Sequence, residues 1–245
     1  MPHEIWITAF FNDHFAGVAS AILNAVGVHA ENAARPWTNF VTMEILVALV
    51  LVVFTLILRP QLSYDKPGKM QQTFELIYEF LREQADEVVG HEGQKYVAFF
   101  GTLFLFILFS NLIGVIPGFE SPTMFPAVPL GCAMATFLVY HVLGFRAQGA
   151  WGYIKHFGGP NVFIAPLMFP IEIISHLARP LSLTVRLYAN MFAGEKVTLV
   201  FLSLVPVAIP SIFMGLHVFV SLLQAYIFTV LTMIYVGGAI AHEEH

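Results

Sequence analysis

Residues 176–196, HLARPLSLTVRLYANMFAGEK, decide how the rest of the chain is interpreted. Apolar sequence continues on both sides of this segment, yet the segment itself contains Arg179, Arg186, Glu195 and Lys196. A charged side chain inside a membrane costs several kcal/mol and normally faces a cavity or a partner. The segment therefore predicts a membrane-embedded helix whose charges need an explanation beyond packing.

The whole chain has the composition of a polytopic membrane protein. Of its 245 residues, 58% are hydrophobic and 11% are charged, whereas a soluble domain carries about 25% charged residues. Cys132 is the only cysteine, which excludes an intrachain disulfide and disfavours a metal–thiolate cluster. The net charge of −5, without a basic patch, gives no indication of nucleic acid binding.

Five hydrophobic segments predict an all-α fold with about five membrane-embedded helices. These segments cover about residues 40–58, 97–116, 127–145, 162–205 and 211–241. Pro206 and Pro210 separate the last two segments, because proline interrupts a helix. We expect residues 37–245 to form one integral membrane domain, preceded by an N-terminal segment, residues 1–36, that can contain an interfacial helix.

The distribution of basic residues predicts the orientation in the membrane. Lys and Arg concentrate in the loops at about 59–96 and 146–161, as Arg59, Lys66, Lys69, Arg82, Lys95, Arg146 and Lys155. The loops near 117–126 and 206–210 contain neither residue type. The positive-inside rule then places the two basic loops and the C-terminus in the cytoplasm and the N-terminus outside.

An amphipathic helix is predicted between the first two spans, at about residues 69–89. Apolar residues recur there every three or four positions, as Met70, Phe74, Ile77, Leu81, Ala85 and Val88. Two interpretations remain open at this point. The helix can lie on the cytoplasmic membrane surface or against a partner, or it can form an arm that packs on the chain itself.

The fourth hydrophobic segment is too long for a perpendicular membrane span. As one helix it would extend roughly 60 Å at about 1.5 Å per residue, whereas the hydrocarbon layer is about 30 Å thick. Pro166, Pro170 and Pro180 permit bends. Because the fifth segment is also overlong, we expect the last two helices to be steeply tilted.

Helical periodicity sorts the polar residues of the last two segments. At 100° per residue, one arc of roughly 80° on the fourth helix collects Glu172, Ser175, Arg179, Ser182, Arg186 and Asn190. Glu195 points to the opposite side from Arg186. The fifth helix carries its own stripe of His217, Ser221, Gln224 and Tyr235. The predicted topology places Glu195 and His217 at one outer depth, Arg186 near the middle and Glu172 towards the cytoplasm.

This pattern favours proton movement along a path that a fixed charge interrupts. Arginine does not usefully deprotonate, so Arg186 suits an electrostatic gate. Glu195 and His217 can take up and release protons. Structural alternatives stay open, since Arg186 could pair with Glu172 or snorkel, and Glu195 could pair with Lys196. Arg179, which lies nearer the cytoplasmic side, has the same alternatives as Arg186. The remaining polar positions could be helix–helix contacts: Ser182, Asn190, His217, Ser221 and Gln224.

Four motifs carry a resemblance to a known family. They are ARPLSLTVRLYANMFAGE at 178–195, HVFVSLLQAYIFTVLTMIY at 217–235, PIEIISHLARPLSL at 170–183 and SNLIGVIPG at 110–118. Together they resemble subunit a of F-type ATP synthases. The resemblance is strongest over about 163–241 and weaker from about residue 37 onward.

The resemblance implies a role in proton translocation and a set of partners. Subunit a is the membrane stator that carries protons past a rotating c-ring, with Arg186 opposite a ring carboxylate. Glu172, Asn190, Glu195, His217 and Gln224 match further proton-path positions. The implied partners are the c-ring, peripheral-stalk b subunits, membrane lipid and protons. The implied location is a bacterial inner membrane or, alternatively, a mitochondrial inner membrane.

The resemblance further implies a subunit that is not itself catalytic and has no cofactor or metal. The sequence contains no Gly-rich phosphate loop of the Walker type, so nucleotide binding is not expected. The competing interpretation is a stand-alone proton-coupled secondary transporter. Such transporters usually contain internal repeats, whereas here the polar chemistry is concentrated in the last third of the chain.

Overall fold

The computed structural model describes residues 4–27, 32, 34–63, 67–116, 118–156, 165–204 and 208–240. Within these ranges the chain forms α-helices and short 3₁₀ turns and contains no β-strand. The α-helices are α1 (Trp6–Val26), α2 (Asn39–Leu58), α3 (Lys69–Val89), α4 (Val97–Ile113), α5 (Ala127–His156), α6 (Ala165–Leu204) and α7 (Ala208–Ile240). The predicted all-α fold is confirmed.

In the described part of the chain, four helical segments are long and apolar enough to cross a membrane. They are Asn39–Gln61, Glu92–Ile113, Ala127–Gly149 and Ser211–Ile240, and they contain α2, α4, most of α5 and α7. α6 is longer, with 40 residues, and continues through Pro170 and Pro180. Its charged residues lower its hydropathy, so composition alone does not identify it as a membrane helix.

The core of the bundle lies where α7 packs against α3, α4, α5 and α6. Its fully buried side chains include Leu187 of α6, Phe228 and Met233 of α7, and Phe100 of α4. Lipid tails are as apolar as these side chains, so close packing and interhelical hydrogen bonds hold such a bundle together. This packing fixes α6 and α7 side by side.

The bundle has two ends, named here after a residue at each. At the Ser121 end, the turn after α4 folds back, and Ser121 Oγ donates to the Ser110 carbonyl at 2.8 Å. Nearby, Asn39 Nδ2 at the start of α2 donates to the Glu120 carboxylate at 3.1 Å. At the Gln148 end, Gln148 Nε2 of α5 donates to the Ala239 carbonyl of α7 at 3.1 Å.

The amphipathic helix α3 packs part of its apolar face on the chain itself, whereas Met70, Leu76 and Phe80 remain exposed. Leu81 and Ala85 of this face are buried in the common core. Tyr226 of α7 donates its hydroxyl to Gln84 Oε1 at 2.9 Å, and its ring lies 5.6 Å from that of Phe80. α3 therefore braces α7 along its length.

The N-terminal helix α1 is fastened to the start of α2 at the Ser121 end. Thr8 Oγ1 and Thr42 Oγ1 share a hydrogen bond of 2.7 Å, and Asn12 Nδ2 donates to the Trp37 carbonyl at 3.1 Å. Arg35 also forms an ion pair with Glu4. These contacts make α1 part of the folded unit.

Candidate functional site

Arg186 lies on the outer surface of α6, halfway along the helix. The flanking side chains Leu181 and Val185 are 63% and 53% exposed, and Ser182, one turn away, is also exposed. The ion pairs that α6 forms in the described part of the chain involve Glu172, and none engages Arg186. A permanent cation on an apolar surface requires an anion or water outside the chain.

Glu172 is engaged elsewhere, so a structural pair between Glu172 and Arg186 is not formed. Glu172 Oε1 lies 3.3 Å from His176 Nε2 and 3.8 Å from Arg179 Nη2. The Arg179 guanidinium also lies over the rings of Tyr140 and Tyr235, at 5.8 and 5.1 Å. Arg179 thus turns towards α5 and α7, which leaves Arg186 on the outer face.

Asn190 and Gln224 join α6 to α7 beside Arg186. Asn190 Nδ2 donates to Gln224 Oε1 at 3.0 Å. Gln224 is buried, and its Nε2 has no hydrogen-bond partner. The pair therefore joins α6 to α7 and leaves the Gln224 amide N–H buried without an acceptor in the described part of the chain.

Glu195 faces away from Arg186, towards the turn at the Ser121 end. Its carboxylate lies near the Ser121 backbone N–H, and its Oε2 is buried without a hydrogen-bond partner among the described residues. Among the described residues, Lys196 lies over the Phe192 ring at 5.3 Å and forms no ion pair with Glu195. The alternative of a local Glu195–Lys196 surface pair is therefore not realised.

His217 of α7 lines a cavity of about 260 Å³ between α6 and α7. Its ring packs on Gly194, where an added Cβ would lie 3.5 Å from His217 Nδ1. His217 is buried, and its Nε2 has no partner. The structure thus places His217 at the level of Glu195, but no hydrogen bond joins the two described side chains. The cavity also reaches Asn190.

A buried polar cluster near Glu195 was not singled out from the sequence. Thr123 Oγ1 donates to Asn111 Oδ1 at 2.6 Å and shares a 2.7 Å hydrogen bond with Ser121 Oγ. Asn111 Nδ2 donates weakly to the Ser221 carbonyl of α7, at 3.5 Å. The sequence feature that indicates this cluster is the pair Ser110–Asn111 inside an apolar span. Polar residues are rare inside a membrane helix and usually face a partner or a cavity.

Unsatisfied polar atoms concentrate between α4, α6, α7 and the Ser121 turn. Buried side-chain atoms without a protein partner include Ser110 Oγ, Glu195 Oε2, His217 Nε2, Ser221 Oγ and Gln224 Nε2. Buried polar groups in native proteins are satisfied by protein atoms or ordered water. These atoms therefore leave unused hydrogen-bonding groups in this part of the bundle, for which ordered water is the usual partner.

Comparisons with known proteins match the chain to one family. The ATP synthase A chain family matches residues 40–237. ATP synthase subunit a of Solibacter usitatus (strain Ellin6076) is 62% identical over 233 residues, which cover 95% of this chain and 99% of the relative. ATP synthase subunit a of Koribacter versatilis (strain Ellin345) is 53% identical over 242 residues, which cover 99% of both chains. The chain belongs to the ATP synthase A chain family.

Proposed function

We propose that the chain is the proton-conducting stator subunit a of an F-type ATP synthase. The observation that carries the proposal is Arg186, which is exposed on the outer face of α6 and has no ion pair among the described residues. It lies one turn from the Asn190–Gln224 pair, to which buried polar groups lead. A fixed cation next to a proton path is useful only when an anionic group passes it. The carboxylate of a c-ring subunit supplies that group.

In the outer half-channel, protons enter at the Ser121 end. Glu195 and His217 provide groups that bind and release protons there, and the cavity between α6 and α7 connects His217 to Asn190. A proton that leaves this route neutralises the ring carboxylate. The neutral form can then rotate through lipid, because burial penalises mainly the charged form.

In the inner half-channel, protons leave past Glu172 towards the Gln148 end. The deprotonated ring carboxylate then passes Arg186, whose guanidinium stabilises the anion. The same positive charge repels a proton that would otherwise cross directly from one half-channel to the other. Proton flow is therefore coupled to rotation of the ring.

The proposed orientation puts the Ser121 end outside and the Gln148 end in the cytoplasm of a bacterial cell. Exposed basic residues support it, since Arg59, Arg82 and Arg146 lie in the predicted cytoplasmic loops. α6 and α7 would lie tilted against the c-ring, with b subunits and lipid covering other faces. The exposed apolar residues of α2, such as Leu49, Val52 and Leu56, suit such a covering.

Purification from membranes tests the proposal against a stand-alone transporter. An affinity-tagged chain, extracted in mild detergent, should bring down a c-ring and a peripheral ATPase in fixed ratio. Recovery of the chain alone, together with substrate-coupled proton transport by the purified chain in vesicles, would favour the transporter.

A steric block of the outer cavity should slow proton flow. Gly194→Leu would place its side chain beside His217, where a Cβ already lies in van der Waals contact, and would fill part of the cavity of about 260 Å³. We expect proton-driven ATP synthesis in inverted membrane vesicles to fall several-fold. The matched control is Gly215→Leu on α7, because a Cβ there meets nothing within 4 Å. Equal rates in both variants would remove this cavity from the path.

A further inference from the structure

A second cluster of titratable groups links α5, α6 and α7 away from the outer cavity. His176 of α6 lies at its centre and is buried. Tyr235 of α7 belongs to the cluster and precedes Ala239 by one helical turn, so the cluster lies towards the Gln148 end. The proposed half-channels assign a role to Glu172 in this region and none to His176.

Both ring nitrogens of His176 have polar partners on different helices. Nδ1 lies 3.0 Å from Tyr140 Oη of α5, and Nε2 lies 3.3 Å from Glu172 Oε1 of α6. A tyrosine hydroxyl both donates and accepts, and a carboxylate accepts. The imidazolium can therefore donate to both partners, whereas the neutral ring with its proton on Nδ1 donates to Tyr140 alone and leaves Nε2 able to accept a proton.

We propose that His176 is a proton-carrying residue of the inner half-channel, held between Tyr140 and Glu172; the proposal rests on the function proposed above. In the neutral ring, Nδ1–H donates to Tyr140 Oη. The O–H bond of an incoming hydronium ion breaks as an N–H bond forms at Nε2, which gives an imidazolium and leaves a water molecule. That N–H bond then breaks as an O–H bond forms at Glu172 Oε1, and the ring is neutral again. Glu172, whose side chain is 30% exposed, releases the proton to water.

The charges around His176 suit a short-lived imidazolium. Glu172 on the same helix stabilises the positive charge, whereas Arg179, which lies 3.8 Å from Glu172, opposes it. The other titratable groups whose rings lie against that of His176 are Tyr140 and His141 of α5. Tyr235 of α7 and Tyr153 of α5 lie against those two rings in turn. Because Arg179 shares the Glu172 carboxylate with His176, the imidazolium does not hold that anion alone, which favours release of its proton.

His141 provides a matched control on α5. Its ring lies 5.2 Å from that of His176, but its Nδ1 is hydrogen-bonded to the Phe137 carbonyl at 2.8 Å. This hydrogen bond ties the His141 ring to the backbone of its own helix. His141→Gln should therefore change neither the rate of proton transport nor its pH dependence.

The test uses the complete ATP synthase in inverted membrane vesicles, with ATP-driven proton pumping recorded from about pH 5.5 to 8.5, where imidazoles titrate. The pH is varied on the exposed cytoplasmic side. His176→Gln keeps an amide donor and acceptor of similar size but cannot carry the proton. We expect the complex to assemble normally and the rate of proton pumping to fall about 10-fold. This loss is smaller than a positioned acid–base group usually causes, because water provides a parallel route for the proton. In the wild type, the pumping rate should fall as the pH rises and the imidazole loses its proton. In His176→Gln, we expect the pumping rate to depend less on pH.

Tyr140→Phe provides a second variant that leaves both titratable partners in place. Loss of the hydroxyl frees Nδ1 and should also change the pH profile, with a smaller loss of rate. Wild-type rates and pH profiles in either assembled variant would overturn the proposal and leave His176 a structural clamp. Arg186→Ala, measured in the same vesicles, separates the two proposals. If Arg186→Ala still pumps protons in a coupled way, the proposed function is refuted. If Arg186→Ala loses coupled pumping but His176→Gln pumps like the wild type, only the relay through His176 is refuted.

Discussion

Arg186→Ala should abolish proton-driven ATP synthesis while the complex still assembles. Arg186 is exposed on α6 and contributes no ion pair to the described fold, so its removal leaves the packing of Leu183 and Leu187 intact. Without the guanidinium, a ring carboxylate must either pass the stator as an unpaired anion or remain protonated. Both outcomes uncouple proton flow from rotation.

The size of the effect follows from the cost of that unpaired anion. A carboxylate at the centre of a membrane helix costs about 2.5–3.5 kcal/mol on insertion scales. Because each 1.36 kcal/mol changes a rate about tenfold, the coupled rate should fall about 70- to 400-fold. ATP synthesis in vesicles under an imposed proton gradient measures this loss.

A matched arginine tests whether the effect belongs to position 186. Arg146→Ala removes another exposed arginine, on α5 rather than α6, and should leave ATP synthesis close to wild type. Equal losses in both variants would indicate a general requirement for positive charge. Normal coupled synthesis in Arg186→Ala would contradict the proposed function.

Neutralising Glu195 and His217 together should slow proton flow strongly without preventing assembly. Both side chains carry a buried atom without a protein partner, so Glu195→Gln and His217→Gln leave the packing largely unchanged. They remove two groups that exchange protons at the entrance. A positioned acid–base group contributes about 10²–10⁴-fold to a proton transfer, and we expect the double variant to fall at the lower end of this range.

Passive proton conductance of vesicles stripped of the peripheral ATPase is the direct measurement for the double variant. The matched control pairs Glu87→Gln on α3 with His14→Gln on α1, both exposed and outside the polar route. Conductance that matches the control would mean that the outer path runs elsewhere. A single variant that reproduces the whole loss would identify which of the two residues is indispensable.

Much of the fold was predictable because hydrophobic periodicity is local. The apolar runs indicated an all-α membrane protein, and the 100° spacing separated Arg186 from Glu195 before any contact was known. The same spacing placed Arg179 beside Arg186. The aromatic rings of Tyr140 and Tyr235 draw Arg179 away from that face, and no pattern within α6 contains this information.

The parts of the site that the sequence does not predict depend on contacts between distant positions of the chain. Tyr140 and His176 are 36 positions apart, and Asn111 reaches Ser221 across 110 positions. Thr123 meets Asn111 because the turn after α4 folds back into the bundle. Periodicity predicts which face of a helix is polar, but it does not predict which helix covers that face.

Disulfide cross-linking tests the central claim, that the Arg186 face of α6 lies against the rotating ring. Ser182→Cys places a thiol on this face, one turn from Arg186, in a chain whose buried Cys132 has been replaced by alanine. A second cysteine is introduced beside the ring carboxylate, and Leu49→Cys on the exposed face of α2 is the control. A disulfide requires Cα atoms within about 7 Å. We predict that only Ser182→Cys cross-links to the ring and that the bond stops ATP synthesis until it is reduced. A cross-link from Leu49→Cys, with none from Ser182→Cys, would contradict the account.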